Sequence, residues 1–106
     1  MKGPVFLDEA LEEYESAVVY YEMREPGLGT RVVRELEEAL SLALEFPESC
    51  PPVQEVAATH LVRALLLRSF PLKVVYTARE DTLIVVAVFH GKRRPGYWTE
   101  RIHRLQ

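Results

Sequence analysis

The sequence of 106 residues is 27% charged and 48% hydrophobic, with a formal net charge of −3. A chain of this length forms one domain, predicted here to span residues 1–106, and it buries roughly 65% of its unfolded surface without a metal or a disulfide. The single cysteine, Cys50, has no partner for an internal disulfide, no His/Cys cluster has the spacing of a metal site, and no apolar run is long enough to span a membrane. We therefore expect a cytoplasmic protein that uses no metal and no cofactor.

The charge is divided unevenly along the chain. Residues 1–55 hold 13 acidic and 4 basic residues, a sum of −9, whereas residues 56–106 hold 3 acidic and 9 basic residues, a sum of +6. A basic half presents a local positive surface even when the total charge of the protein is negative. The pattern predicts that the second half binds a polyanion or an acidic protein segment.

The first half contains the patterns of one short strand and two helices. Residues 2–7 are predicted as an edge strand, where the proline at position 4 is tolerated. Apolar residues then recur at helical spacing over residues 8–25, and again from residue 28 to about residue 46. Pro26 and Gly27 separate the two runs, which predicts a helical hairpin.

The two helices are rich in glutamate. These residues are Glu12, Glu13, Glu15, Glu22, Glu35, Glu37, Glu38 and Glu45. No histidine follows any of them at the i+3 or i+4 position that a metal site on a helix uses. We predict that all of them lie on solvated helix surfaces.

The second half contains the patterns of three strands. After a proline-rich connector at residues 47–52, residues 61–70, 72–79 and 82–90 are predicted as an antiparallel meander. The last of these strands is apolar from Leu83 to Phe89, which is typical of a central strand with both sheet faces covered.

The apolar residues of this sheet lie on both of its faces. Strict alternation places Val86 and Val88 on one face and Val85 and Ala87 on the other. Because a pair of helices covers only one face, the other is left either for a partner protein or for a short C-terminal helix that carries Trp98. The residues fit both alternatives.

The segment after the last strand combines cations with aromatic rings. His90 ends the strand and Gly91 breaks it. The residues that follow include Lys92, Arg93, Arg94, Tyr97 and Trp98. Fixed cations beside flat rings are the composition expected where phosphates or bases are bound. The alternative is a solvated basic turn, in which His90 makes ordinary hydrogen bonds and Trp98 packs in the core.

Together these patterns predict an α+β domain with an N-terminal strand, a helical hairpin packed on a small antiparallel sheet of three to four strands, and a short C-terminal helix. Three blocks of sequence also resemble the RelE/ParE superfamily of toxins from bacterial type II toxin–antitoxin systems, often described as plasmid stabilisation proteins. The blocks are residues 9–15 with the turn at 26–29, residues 62–76 and residues 86–98, so the resemblance covers nearly the whole chain.

The resemblance implies a cytoplasmic toxin with a RelE/ParE-like fold and a cognate antitoxin that wraps its surface, in a toxin–antitoxin hetero-oligomer. RelE-like members cleave mRNA on the ribosome without a metal, whereas ParE-like members poison DNA gyrase and are not nucleases. The interpretation favoured here is a metal-independent, ribosome-associated endoribonuclease, and the alternative is a gyrase poison. We expect an antitoxin segment to cover apolar surface of the helical hairpin and to place acidic side chains on the basic half. A solitary interaction domain without toxicity is a third hypothesis.

In the nuclease interpretation, the candidate catalytic residues are His90, Arg93, Tyr97 and Arg63. Such cleavage needs a base, an acid and cations that face the phosphorus, and His90 is the candidate base and Tyr97 the candidate acid or stacking ring. The candidate RNA-binding or target-binding residues are Arg68, Lys73, Lys92, Arg94, Trp98 and Arg101. Arg63 and Arg68 have opposite strand parity, so at most one of them shares a sheet face with His90 unless a bulge intervenes.

Overall fold

The structure, a computed structural model, describes residues 1–53 and 62–105. In these residues the elements are, in chain order, β1 (Lys2–Phe6), α1 (Asp8–Arg24), α2 (Leu28–Glu45), β2 (Val62–Leu66), β3 (Leu72–Arg79), β4 (Thr82–His90) and α3 (Thr99–His103). They form the predicted α+β domain. The strand predicted over residues 61–70 is shorter, because β2 ends at Leu66 and bends follow, and residue 61 lies outside the described residues. Within those residues, no helix has the length and apolar character that crossing a membrane requires.

The sheet has the strand order β1-β4-β3-β2, so β4 lies in its interior. Leu83 to Phe89 are all buried, and the prediction of a central strand covered on both faces is confirmed. The three strands β2, β3 and β4 form the predicted antiparallel meander. β1 lies at the edge as predicted, but it pairs with β4 in parallel, so the sheet is mixed. The composition of a five-residue strand carries no signal for the direction of its partner.

A β-bulge interrupts the pairing of β3 with β4. Val75 pairs with Ala87 and Tyr76 pairs with Val85, so Val86 is an extra residue without a partner in β3. One extra residue inverts the alternation of side chains for the rest of the strand. The strict alternation predicted for β4 is therefore wrong beyond this point.

The bulge determines on which face of the sheet the last residues of β4 place their side chains. Val86 and Ala87 both pack in the cluster under α3, whereas Val85 and Val88 both pack under the helical hairpin. His90 follows Val88 by two residues and so lies on the hairpin side. Without the bulge, the same histidine would face α3.

The two helices of the hairpin approach each other closely at their turn. Gly27 has a φ of 96°, in the left-handed region that favours glycine. A Cβ on Gly29 would lie 2.9 Å from the carbonyl oxygen of Val18, so a side chain there would push the helices apart. The carboxylate of Glu22 accepts hydrogen bonds from the N–H groups of both glycines at 3.0–3.1 Å and thereby caps α2. Glu22 is exposed, as predicted, and its carboxylate also ties the turn to α1.

The second face of the sheet is covered by α3 and the residues just before it. Trp98 is 2% exposed and Ile102 is fully buried, and both pack with Val62, Val75 and Phe89. Of the two alternatives drawn from the sequence, the structure shows the one in which the C-terminal helix covers this face.

Glu35 on α2 is also buried, although it was predicted to be solvated. Its carboxylate accepts a hydrogen bond from the N–H of Ser69 at 2.9 Å and lies 3.7 Å from the Arg31 guanidinium. Burial acts to raise the pKa of Glu35, but the bonds from Ser69 and the nearby Arg68 and Arg31 outweigh it and hold the pKa below its ordinary value. The residue anchors the bend that follows β2.

Replacing Glu35 by glutamine is expected to lower the free energy of unfolding by about 1–2 kcal/mol at pH 7, because the Ser69 N–H loses a charged acceptor. Since the folded-state pKa is below the ordinary value of 4.5, this contribution is complete above pH 4.5 and is lost as the pH falls through the folded-state pKa. Urea unfolding of both proteins at pH 7 and pH 3 measures the change. The exposed Glu37→Gln variant is the control, and an equal difference for Glu35→Gln at both pH values would contradict the prediction.

Candidate functional site

A groove of about 730 Å³ lies between α1 and the end of β4. This volume is within the range of about 300–1,000 Å³ that is typical of binding clefts. The wall formed by α1 carries Glu9, Glu12, Glu13, Ser16 and Tyr20. The opposite wall carries Leu72, Val88, His90, Arg93 and Arg101. The two walls differ in charge, and three of the predicted site residues, His90, Arg93 and Arg101, meet in this groove.

The carboxylate of Glu13 joins three elements beside the groove. It accepts hydrogen bonds from the Val88 N–H at 3.1 Å, from the Tyr97 hydroxyl at 2.5 Å, and from both terminal nitrogens of Arg101 at 2.8 and 3.1 Å. Arg101 also donates to the carbonyl of Val86 at 3.0 Å. Burial acts to lower the pKa of Arg101, but the bond to Glu13 outweighs it and raises that pKa. Arg101, predicted as a target-binding residue, is therefore engaged within the protein.

Tyr97 is fixed at both ends of its side chain. Its hydroxyl donates a hydrogen bond to Glu13. Its ring makes an edge-to-face contact with the ring of Phe89, with the centroids 5.1 Å apart. The guanidinium of Arg93 lies 4.1 Å from the centroid of the same ring. Burial, and then the bond to Glu13, raises the pKa of Tyr97. The phenol therefore keeps its proton and shares it with a carboxylate of the protein.

Three consecutive cations, Lys92, Arg93 and Arg94, are exposed on the turn that follows β4. The turn is closed by a hydrogen bond from the Arg93 N–H to the His90 carbonyl at 3.1 Å. His90 itself is exposed, and its ring makes no hydrogen bond to the part of the chain that the structure describes. We call residues 92–94 the basic segment.

Arg63 lies far from the groove. It pairs with Tyr76 in β3, and Tyr76 in turn pairs with Val85 in β4. His90 pairs with Leu72, which is four residues from Tyr76, and at about 3.4 Å per residue this is about 14 Å along the sheet. The guanidinium donates to the carbonyls of Glu48 and Cys50, the latter at 2.5 Å, and so holds the proline-rich connector against β2.

The other predicted cations are distributed around the sheet. Arg68 lies in the bend after β2, where strand parity no longer applies, and its guanidinium is 3.7 Å from the Glu38 carboxylate. Lys73 pairs with Phe89 and, with Arg93 and Trp98, lines a smaller cavity on the α3 side. The structure thus brings neither Arg63 nor Arg68 to His90.

The outer face of α1 exposes apolar residues at helical spacing. Val19, Tyr20 and Met23 are 56%, 48% and 83% exposed, and the Arg24 guanidinium lies 4.5 Å from the centroid of the Tyr20 ring. A surface helix normally places polar residues on its outer face, so a stripe of this kind is a candidate contact surface. We call Val19, Tyr20 and Met23 the α1 stripe. Further exposed apolar residues are Leu42 on α2, Phe46 just after α2, and Leu66 on β2.

Glu13 was predicted to lie on a solvated helix surface, and this prediction is wrong, because its side chain is 17% exposed and bonded to three residues of the site. It lies three residues after Ala10 and four residues before Ala17, and both alanines face the core. A glutamate on the inward stripe of a helix is the signal of a carboxylate with an internal partner. Among the described residues, no group of three His, Cys, Asp or Glu side chains is placed to hold a metal.

The chain was compared with protein-family models and with known proteins, and it matches one family. Residues 5–95 match the family model of the ParE toxin of the type II toxin–antitoxin system parDE. The chromosomal ParDE system from P. aeruginosa has a similar fold, with a TM-score of 0.70 and 14% identity over 85% of this chain and 96% of that one. The isolated E. coli RelE toxin gives a TM-score of 0.63 and 21% identity over 100% of both chains. No curated protein matches the chain significantly.

Proposed function

We propose a target for this chain, which belongs to the ParE toxin family of type II toxin–antitoxin systems: the toxin binds DNA gyrase through its basic segment and does not cleave RNA. Membership of the family confirms the resemblance to the RelE/ParE superfamily that the sequence predicted, and it implies a cognate antitoxin as partner. The family match favours the gyrase alternative over the nuclease interpretation.

The position of the Tyr97 hydroxyl carries this proposal. Cleavage of RNA without a metal needs a base, an acid and cations directed at the phosphorus. The proton of Tyr97 is held by Glu13, and Arg101 is paired with the same carboxylate. Arg63 is engaged with the connector on another part of the sheet. His90 therefore has no acid partner among the residues predicted to act with it, which supports a binding role.

A docking role suits the basic segment. Its three cations are consecutive and exposed, and Arg93 is already held against an aromatic ring. A preorganised side chain loses less conformational entropy on binding than a free one. Exposed like charges also steer association with an acidic partner surface, and the effect weakens at high salt. The proposal places the toxin in the cytoplasm, where bacterial DNA lies.

One observation favours a second function, RelE-like cleavage of mRNA on the ribosome. His90 and Arg93 line the same groove, so an exposed imidazole lies near a fixed cation. This pair could take the proton of a 2′-hydroxyl and stabilise charge on a phosphate. In that mechanism each of the two residues contributes on the order of 100-fold in rate.

Two variants separate the functions: His90→Ala, and the joint replacement of Lys92, Arg93 and Arg94 by alanine. If the toxin docks on gyrase, the wild type inhibits supercoiling by purified gyrase and the triple variant inhibits it about tenfold more weakly or worse, because the steering charges are gone. His90→Ala retains full inhibition, because the ring has no part in docking.

The control is Arg79→Ala. This change removes an exposed cation at the end of β3 that lies away from the basic segment. Each protein is also assayed for cleavage of mRNA on translating ribosomes. Cut mRNA that disappears in the His90→Ala variant, with gyrase unaffected by the wild type, would establish the nuclease function instead.

We also propose where the cognate antitoxin binds. Its apolar side chains cover the α1 stripe, and its acidic side chains reach the basic segment across the groove between them. The exposure of the stripe supports this location, as does the positive charge of the opposite wall. An interface of this kind explains how the antitoxin blocks the target-binding surface.

A further inference from the structure

The bonds to Glu13 lie along the edge of β4 beyond the end of β1. β1 ends before the bulge, so the Val86 carbonyl and the Val88 N–H meet side chains where a neighbouring strand would otherwise lie. Arg101 bonds the carbonyl and Glu13 bonds the N–H. Buried backbone groups need such partners, which accounts for the ion pair at this point of the sheet.

The same carboxylate influences Arg93 without touching it. Glu13 holds the hydroxyl of Tyr97, and the edge contact with Phe89 sets the plane of the ring. The Arg93 guanidinium lies 4.1 Å from the ring centroid, close enough for attraction between the cation and the π-system. The direction of the Tyr97 ring therefore decides where Arg93 points.

We propose that Glu13 is a positioning residue for the basic segment: through Tyr97 it holds Arg93 in the orientation that the toxin presents to its target. This inference rests on the proposed function, in which the segment docks on gyrase. If Glu13 only stabilised the fold, its ion pair with Arg101 would be sufficient, and no bond to Tyr97 would be required. The Tyr97 ring connects the pair to the basic segment, because its hydroxyl is bonded to Glu13 and the Arg101 guanidinium lies 5.1 Å from its centroid.

The first test is independent of the target. In the NMR spectrum of the isolated toxin, the δ-methylene protons of Arg93 should be shifted upfield by the Tyr97 ring. Glu13→Gln should move this signal towards its random-coil position, and Tyr97→Phe, which keeps the ring but removes its anchor, should do the same. Glu15→Gln, an exposed change on the same helix, should leave the signal in place.

The second test uses gyrase binding and a double-mutant cycle. Glu13→Gln is expected to weaken binding about tenfold, and to cause no further loss in a protein that already carries Arg93→Ala, because both changes remove one interaction. A merely structural residue would lower stability and leave the two effects additive. The cycle is repeated with Tyr97→Phe, which retains the Glu13–Arg101 pair and so protects the test against unfolding.

The outcomes are distinct. An Arg93 signal that stays in place in folded Glu13→Gln and Tyr97→Phe would overturn the positioning role, as would additive effects on binding. If the signal moves but the wild type does not bind gyrase, the proposed target fails and the positioning role of Glu13 stands.

Discussion

Replacement of Trp98 by alanine is expected to lower the free energy of unfolding by about 3–5 kcal/mol, the usual cost of removing a large buried aromatic ring. Trp98 is 2% exposed and is the largest fully buried side chain among the described residues. It fills the core between α3 and the sheet, where it packs with Val75 and Ile102. Because small domains have a total stability of about 5–15 kcal/mol, this loss is a large fraction of the total.

Urea unfolding followed by far-UV circular dichroism measures this change. Trp98→Phe, which leaves a smaller cavity, should lose less stability than the alanine variant. Met23→Ala removes a side chain that is 83% exposed and is the control, with an expected change within about 0.5 kcal/mol. If Trp98 were instead a platform for stacking bases, Trp98→Ala would reduce target binding and leave stability nearly unchanged.

The second large effect concerns the antitoxin. Met23→Asp together with Val19→Asp is expected to weaken antitoxin binding on the order of 100-fold, because charged groups at the centre of an apolar interface lose their hydration without gaining partners. The two residues are exposed on α1, so the toxin alone should lose no more than about 1–2 kcal/mol of unfolding free energy, the cost of two acids near the C-terminal end of a helix. Calorimetric titration of each toxin with the antitoxin measures the affinity.

Thr30→Asp is the control, because it adds a charge to the first turn of α2, where the helix dipole favours an acid. The wild-type complex should also persist in 1 M NaCl, at which the Debye length is about 3 Å, because its apolar contacts are insensitive to salt. Dissociation of the wild-type complex at this salt concentration would exclude the α1 stripe as the antitoxin site. Equal affinity of the antitoxin for the double variant and the wild type would exclude it as well.

The fold was predictable where burial depends on composition alone. An uninterrupted apolar run such as Leu83 to Phe89 belongs inside a sheet whatever the phase of its side chains, and the helical hairpin follows from two apolar stripes separated by Pro26 and Gly27. The bulge was not predictable, because Val86 and its neighbours are small apolar residues that suit either face. The sheet face on which His90 lies depends on that bulge, so this face could not be predicted from the sequence either.

The site was predictable in part for a related reason. The position of the basic segment follows from the end of an apolar strand, and its exposure follows from three charges in succession. The partners of Tyr97 and Arg101 did not follow, because Glu13 lies 84 and 88 residues away in sequence. Periodicity reports the face of an element on which a residue lies, and it contains no information about what the opposing element places there.

Elements that pack together in the fold lie far apart in the sequence, and this separation affects the order in which the toxin folds during translation. β1 pairs with β4, and the hairpin packs on a sheet whose central strand is synthesised last. At about 5–20 residues per second, a ribosome needs roughly 5–20 s to travel from Glu13 to Arg101. During that interval the helices have no central strand to pack on, and the basic segment has not yet been translated. The basic segment therefore joins the folded domain only at the end of translation, and the apolar surface of the nascent hairpin is exposed before it.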